Sequence, residues 1–287
     1  MFSYTEIIDN YINNINEGLI IFTKQEKGNV GEVMRYSLMN GGKRVRPVLA
    51  LLTSQCLCDD WQPALIPALS LEMVHTYSLI HDDLPCMDDD DFRRGKPSCH
   101  KKFGENIAVL AGDALLTYAF KLLSDIPDST VSVNCIRLLS DAAGNNGMIH
   151  GQELDFMDVK DLDSLKDINR NKTGKMITAS VLLGAAAAKK TEPETITILK
   201  SFADNIGEVF QIVDDILDVT STQDVLGKPI NSDIKNNKPT YVSLYGIESA
   251  KEYATKLTED ACNNIEQLNA DTSILSWYAK QLLVRIK

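Results

Sequence analysis

An all-α fold is expected from three features of the chain. Apolar residues recur at intervals of three and four over most of its length, strand-like alternation is scarce, and loop-like stretches are few. With 287 residues and no evident linker, the pattern predicts one domain, residues 1–287, a bundle of roughly ten or more helices around a few core helices. Hydrophobic residues make up 44% and charged residues 24%, which leaves ample apolar material for a core.

Taken in order, Ile7, Ile8, Tyr11, Ile12 and Ile15 form one apolar stripe, and Val30, Val33, Met34, Ser37 and Leu38 form a second. The second stripe runs into Asn40-Gly41-Gly42, a helix stop. Residues 63–80 are apolar nearly all round and predict a long, central, buried helix. "ENIAVLAGDALLTYAFKLLS", "KMITASVLLGAAAA" and "DNIGEVFQIVDDILDV" have the same character. Loops are expected at 85–98, 157–169 and 221–239.

Two acidic clusters interrupt this apolar pattern, each where a helix runs out. The first is "HDDLPCMDDDDFRRG", in which Asp82 and Asp88 lie six apart, about 240° around an ideal helix. They can face one ion only if the chain bends between them, and Pro85 gives it a reason to bend. In the second, "FQIVDDILDV", Asp214 and Asp218 share a helix face, with Asp215 about 100° away. Carboxylates among apolar residues need a cation between them. Either cluster alone is compatible with a solvated helix end. A calcium loop would show spaced ligands and a glycine turn, which are absent. Together they point to magnesium, which takes one or two carboxylates plus phosphate oxygens. Cationic side chains suited to phosphate stand nearby: Lys43, Arg44 and Arg46 in "GGKRVRP", then Arg93 and Arg94. "NKTGK" supplies Lys172, Thr173 and Lys175, and Lys228 and Lys238 lie beyond the second cluster.

Net charge is −11, so the chain as a whole does not attract nucleic acid or anionic lipid. No apolar run in the sequence is expected to span a bilayer, and the N-terminus lacks the basic and apolar parts of a signal peptide. Cys56, Cys58, Cys86, Cys99, Cys135 and Cys262 show no C-x-x-C pairing, as expected of reduced thiols in a cytoplasmic protein.

The motifs "GGKRVRP", "HTYSLIHDDLPCMDDDDFRRGKPSCHKKFG", "AVLAGDALL", "GQELDF", "KTGKMITAS", "FQIVDDILDV", "LGK" and "KPTY" occur in this order over residues 36–245. In them the chain resembles the trans-isoprenyl (polyprenyl) diphosphate synthases, most closely the bacterial type of farnesyl diphosphate synthase. The resemblance implies the isoprenoid synthase fold, with its central apolar cavity, and a homodimer. It implies that Asp82, Asp88 and Asp214 bind a magnesium cluster, about three ions per site, with Asp83 and Asp218 assisting. Arg93, Lys172 and Lys238 would add donors to an allylic diphosphate, and Lys228 would be a further phosphate contact. Lys43, Arg46, His75 and Arg94 would hold isopentenyl diphosphate, while Thr173 and Gln211 would sit by the leaving group and the allylic carbon. On spacing alone His75 is an ordinary core histidine; the motif gives it this role. His81 and His100 receive none and are expected to be structural or solvent-facing, and Gln152 and Asp155 would form a polar network beneath the site.

By the same resemblance, an aromatic five residues before Asp82, here Tyr77, acts as a floor that stops the product near fifteen carbons. Ser78 beside it would not block. Farnesyl diphosphate is the expected product, with geranylgeranyl diphosphate the rival. Asn237 stands where glycine is common in the family, and Arg285 only loosely matches a basic C-terminal end. A class I terpene cyclase is disfavoured by "GGKRVRP", and a non-catalytic partner subunit by the presence of both aspartate motifs. Consumption of isopentenyl diphosphate separates the three.

Overall fold

The computed structural model describes residues 3–157, 161–220 and 240–284. Helices α1 (Tyr4–Thr23), α2 (Gly28–Leu38), α3 (Val45–Cys58) and α4 (Leu65–Asp82) open the chain. A two-residue hairpin, β1 (Phe92–Arg93) and β2 (Lys96–Pro97), leads into α5 (Cys99–Phe103), α6 (Glu105–Ser124), α7 (Ser129–Ala143) and α8 (Met148–Asp155). Then come α9 (Leu162–Asn169), a single π turn at Arg170–Gly174, α10 (Lys175–Ala187) and α11 (Pro193–Thr220). The last described helices are α12 (Tyr241–Tyr245), α13 (Ile247–Ile265) and α14 (Ser273–Val284).

Helix α4 is the central one. Leu69, Leu71, Met73 and Val74 are fully buried, and it packs along α6 more extensively than any other pair of helices. Its one buried acid, Glu72, is ion-paired with Arg44, which also donates to Asn16 Oδ1 at 3.0 Å and to the Leu38 carbonyl. Arg44 caps α3 from a left-handed backbone at φ 50°. Of the basic residues in "GGKRVRP", it is therefore spent on structure. A second apolar cluster joins Val209, Ile212, Val213 and Ile216 of α11 to Tyr241, Ala250, Ala254 and Leu257.

Three sequence expectations need correction. The central helix begins after a 3-10 turn at Gln62–Ala64 and runs on to Asp82. The loop expected over 157–169 contains α9, whose N-cap Asp161 accepts from Ser164 N at 2.8 Å and whose Leu165 and Ile168 are buried. Its few apolar residues fall three apart, a helical spacing masked by the acidic composition. Finally, α6 is long and apolar enough to cross a bilayer, with a mean hydropathy of 1.5 over its best window. It carries Glu105, Asp113 and Lys121 and lies against α4.

Candidate active site

The C-terminal end of α4 sets the first acidic cluster. Asp83 caps the helix, and the chain then doubles back: Leu84 N donates to His81 O, Met87 N to Leu84 O, and Asp88 N to Asp82 O at 2.9 Å. That last bond closes the bend that the Asp82/Asp88 spacing required. Asp82 is largely enclosed. Burial pushes its carboxyl up to about 6, with Lys172 opposing and Asp88 adding to the rise. A carboxyl in this state gains from a cation placed beside it. Asp83 is engaged differently: it is 3% exposed and ion-paired with Arg93, whose Nε lies 2.9 Å from Oδ1. Arg93 also reaches Asp90 Oδ2 at 3.1 Å. The guanidinium expected to bind phosphate is thus held by two carboxylates of its own motif.

The second cluster lies on the last turns of α11. Asp214 is half-buried, while Asp215 and Asp218 are 4% and 3% exposed. Asp215 has a role that spacing did not reveal. Its Oδ1 accepts from Gln211 Nε2 and its Oδ2 from Tyr241 N, both at 2.9 Å. It therefore pins the start of α12 and fixes the amide of Gln211, whose Oε1 is turned toward Thr173 Oγ1 at 3.4 Å. Glu208 was also missed; it accepts from Tyr241 at 2.9 Å and Tyr253 at 3.0 Å. One glutamate and two tyrosines, 33 and 45 residues apart from it in the chain, leave no spacing signal for such a contact.

Lys172 and Thr173 project from the π turn between α9 and α10, an irregularity of the kind that often marks functional positions. Lys172 is paired with Asp155 of α8 at 2.8 Å, whereas Gln152, expected to share a network with Asp155, has its Nε2 buried without a hydrogen-bond partner. The turn sits hard against α8, because a Cβ on Gly151 would lie 2.1 Å from Lys172 N.

On the other side, Arg46, His75 and Arg94 converge. The imidazole of His75 is held well below its usual range by burial first and then by Arg46, Arg94, Arg93 and Arg44. It is neutral at neutral pH and can hydrogen-bond without adding charge. Burial lowers Arg46 as well, against the opposing pull of Glu72 and Asp214, so this arginine links the basic group to the second acidic cluster. Its Nε is buried without a partner, and its guanidinium lies 5.7 Å from the Phe210 ring centroid. Arg94 donates to the Gly41 carbonyl, and a Cβ on Gly42, at φ 118°, would lie 2.6 Å from that guanidinium. Only glycine leaves the arginine this room. Lys43 is exposed. Lys228, Lys238, Asn237 and Arg285 lie outside the described residues.

Tyr77 is 6% exposed, stacks edge-on against His81 with centroids 5.7 Å apart, and is pushed up to about 12 by burial and then by Asp82. It therefore lies within electrostatic reach of Asp82. His81, expected to be structural or solvent-facing, bonds the Val109 carbonyl at 3.1 Å, a contact between α4 and α6.

A family model for polyprenyl synthetase matches residues 27–276. A farnesyl diphosphate synthase of Geobacillus stearothermophilus is 44% identical over 265 residues, covering 88% of this chain and 88% of its own. The chloroplastic large subunit 1 of a heterodimeric geranylgeranyl pyrophosphate synthase of Arabidopsis thaliana is 44% identical over 253 residues, 84% of this chain and 68% of that protein. Among solved structures, a geranyltransferase from Helicobacter pylori, complexed with magnesium and isoprenyl diphosphate, superposes with a TM-score of 0.84. It shares 33% identity and covers 99% of this chain and 97% of its own.

Proposed function

The chain belongs to the polyprenyl synthetase family and is a prenyltransferase, and from that premise we propose that it makes farnesyl diphosphate. It would condense isopentenyl diphosphate with dimethylallyl and then geranyl diphosphate. The observation that supports this reading is a carboxylate cluster and a basic group on neighbouring elements. Carboxylates that call for a cation gather around Asp82, while Arg46, His75 and Arg94 form a separate basic group coupled to Asp214. Two diphosphates would thereby be accommodated, one through metal and one directly on cationic side chains.

Asp82, Asp88 and Asp214 are assigned to magnesium, a donor set of hard oxygens suited to that ion. Bound there, magnesium would supply Lewis-acid stabilisation of the charge that builds on the departing diphosphate. Lys172, steadied by Asp155, is assigned to the same diphosphate. So is Arg93, whose pairing with Asp83 and Asp90 sets its position. Lys228 and Lys238 are assigned with them from the motifs alone. Lys43, Arg46, His75 and Arg94 are assigned to isopentenyl diphosphate, with the neutral imidazole as a hydrogen-bonding partner. When the allylic C–O bond breaks, the oxygens of Gln211 and Thr173 would present their negative ends to the cation. The amide cannot turn its NH2 inward without abandoning Asp215. The double bond of isopentenyl diphosphate then attacks the cation, and a proton leaves to the released diphosphate.

Tyr77 supports fifteen carbons as the end point, while the equal identity to a geranylgeranyl pyrophosphate synthase subunit keeps twenty carbons as the second reading. A homodimer is proposed through α6, which exposes Val109 and Leu110. The test is a product assay with magnesium, isopentenyl diphosphate and dimethylallyl diphosphate, followed by dephosphorylation and identification of the alcohols. Farnesol as the main product supports the proposal. Geranylgeraniol overturns the product assignment alone, and no elongation with any allylic starter overturns the activity.

A further inference from the structure

The hairpin that carries Arg93 and Arg94 brings three ligand groups together at its base, and the reaction above uses none of them. Asp89 and Asp91 precede β1, and His100 follows β2 in the first turn of α5. The strands pair Phe92 with Pro97, and Ser98 N donates to Asp91 O at 2.9 Å just below that pair. This closure places one ligand atom from each of Asp89, Asp91 and His100 within 4.8 Å of the others.

His100 separates this cluster from an ordinary acidic surface. Its side chain is 3% exposed, whereas those of Asp89 and Asp91 are 60% and 59% exposed. Nδ1 is engaged with Ser98 Oγ at 3.1 Å. Nε2 is buried and has no hydrogen-bond partner, although buried ring nitrogens are normally bonded. It faces Asp89 Oδ1 at 4.0 Å, too far for a hydrogen bond. An ion with bonds of about 2.1 Å in tetrahedral geometry would hold these two atoms about 3.4 Å apart, a small closure that the exposed Asp89 side chain can make. The Ser98 contact on the opposite nitrogen is the support a ligating imidazole usually has, since it fixes the tautomer and the ring plane.

We propose that Asp89, Asp91 and His100 form a site for a divalent transition-metal ion, distinct from the Asp82, Asp88 and Asp214 group. One imidazole nitrogen with two carboxylates suits zinc, cobalt or manganese better than magnesium, which prefers oxygen and keeps its waters. The competitor for Asp91 is Lys101, paired with Oδ1 at 2.7 Å. Both partners of that pair are exposed, so a metal displaces it at little cost. A bound ion ties residues 89 and 91 to residue 100 across the foot of the hairpin, and so restrains the segment bearing Arg93 and Arg94.

The experiment is a zinc titration of the full chain, stripped with a chelator and held in excess magnesium to fill the oxygen site. It is followed by NMR of nitrogen-labelled histidine rings. The chain has only 4 histidines, His75, His81, His100 and His150, so His100→Gln assigns the signal. One equivalent of zinc is expected to move the His100 ring resonances and leave the other three in place. Asp89→Asn and Asp91→Asn, both at exposed positions, are expected to weaken zinc binding at least tenfold while the chain stays folded. An unmoved His100 ring at one equivalent overturns the proposal, whether zinc goes to the exposed thiols Cys58 and Cys86 or is not bound. Unchanged affinity in both aspartate variants overturns it equally.

Discussion

Protonation of Asp82 ties the stability of the chain to its metal binding, with opposite signs in the two states. Burial, opposed by Lys172 and reinforced by Asp88, pushes its carboxyl up to about 6 in the metal-free fold, against 3.8 for a free aspartate. An acid raised by folding penalises the native state once it ionises. The penalty is absent below about pH 4, grows between about 4 and 6, and is complete above 6. Two units correspond to about 3 kcal/mol as an upper bound, reduced by whatever solvent reaches the group. Metal binding has the reverse dependence, because the ligand must be ionised. Magnesium affinity should hold above pH 6 and fall about tenfold for each unit below it. The assay is thermal unfolding across this range with chelator or with millimolar magnesium, run in parallel on Asp82→Asn. The difference between the two proteins removes the histidines and other carboxylates that titrate in the same window. The native chain in chelator should lose stability relative to the variant as pH rises through about 4 to 6. Its magnesium-induced rise in Tm should be large near pH 7.5 and nearly gone near pH 5, with little rise in the variant at any pH. An equal magnesium shift at both pH values in the native chain would refute the reasoning.

Three further outcomes are expected. Tyr77→Ala should shift the product alcohols toward longer chains and cost about 3–5 kcal/mol of stability, as for other buried aromatics, while Tyr77→Phe keeps both; product analysis and urea unfolding read these separately. Glu72→Gln leaves Arg44 as a buried charge without its ion-pair partner, and urea unfolding should show a loss of about 3–5 kcal/mol. Gly151→Ala forces the π turn away from α8, and because a displacement of about 1 Å at a positioning group can cost on the order of 100-fold, kcat should fall steeply while circular dichroism stays native.

Helices with strong apolar periodicity were legible in the sequence. The boundaries of α6 coincide with the quoted stretch, and the burial of α4 follows from its uniform apolarity. The periodicity failed where composition overrode it. In α9 only Leu162, Leu165 and Ile168 mark the inner face among acids and a lysine, so its helicity rests on Asp161 as a cap and on packing against the π turn. The π turn itself is invisible to a 3.6-residue pattern, since it inserts a residue at Arg170–Gly174 without changing the residue types around it.

The site was legible as chemistry and much less so as geometry. Spacing required a bend between Asp82 and Asp88, and the Asp88 N to Asp82 O bond makes one. Spacing could not tell which aspartates stay open to a ligand, because that depends on partners distant in the chain. Asp83 and Asp88 look equivalent in the motif, yet Asp83 is closed by Arg93 ten residues later across the hairpin. Asp214 and Asp215 are neighbours, yet Asp215 is closed by Gln211 and by the backbone of Tyr241, 26 residues on. In each cluster one carboxylate anchors the fold beside a neighbour that is less completely buried. A carboxylate offers about four lone-pair sites, so each hydrogen bond that fixes its position leaves fewer for a metal. The adjacent pairs Asp82-Asp83 and Asp214-Asp215 therefore differ in their partners: Asp83 is closed by Arg93 and Asp215 by Gln211 and the Tyr241 amide, and a cation at Asp82 and Asp214 would rest beside neighbours the protein has already fixed.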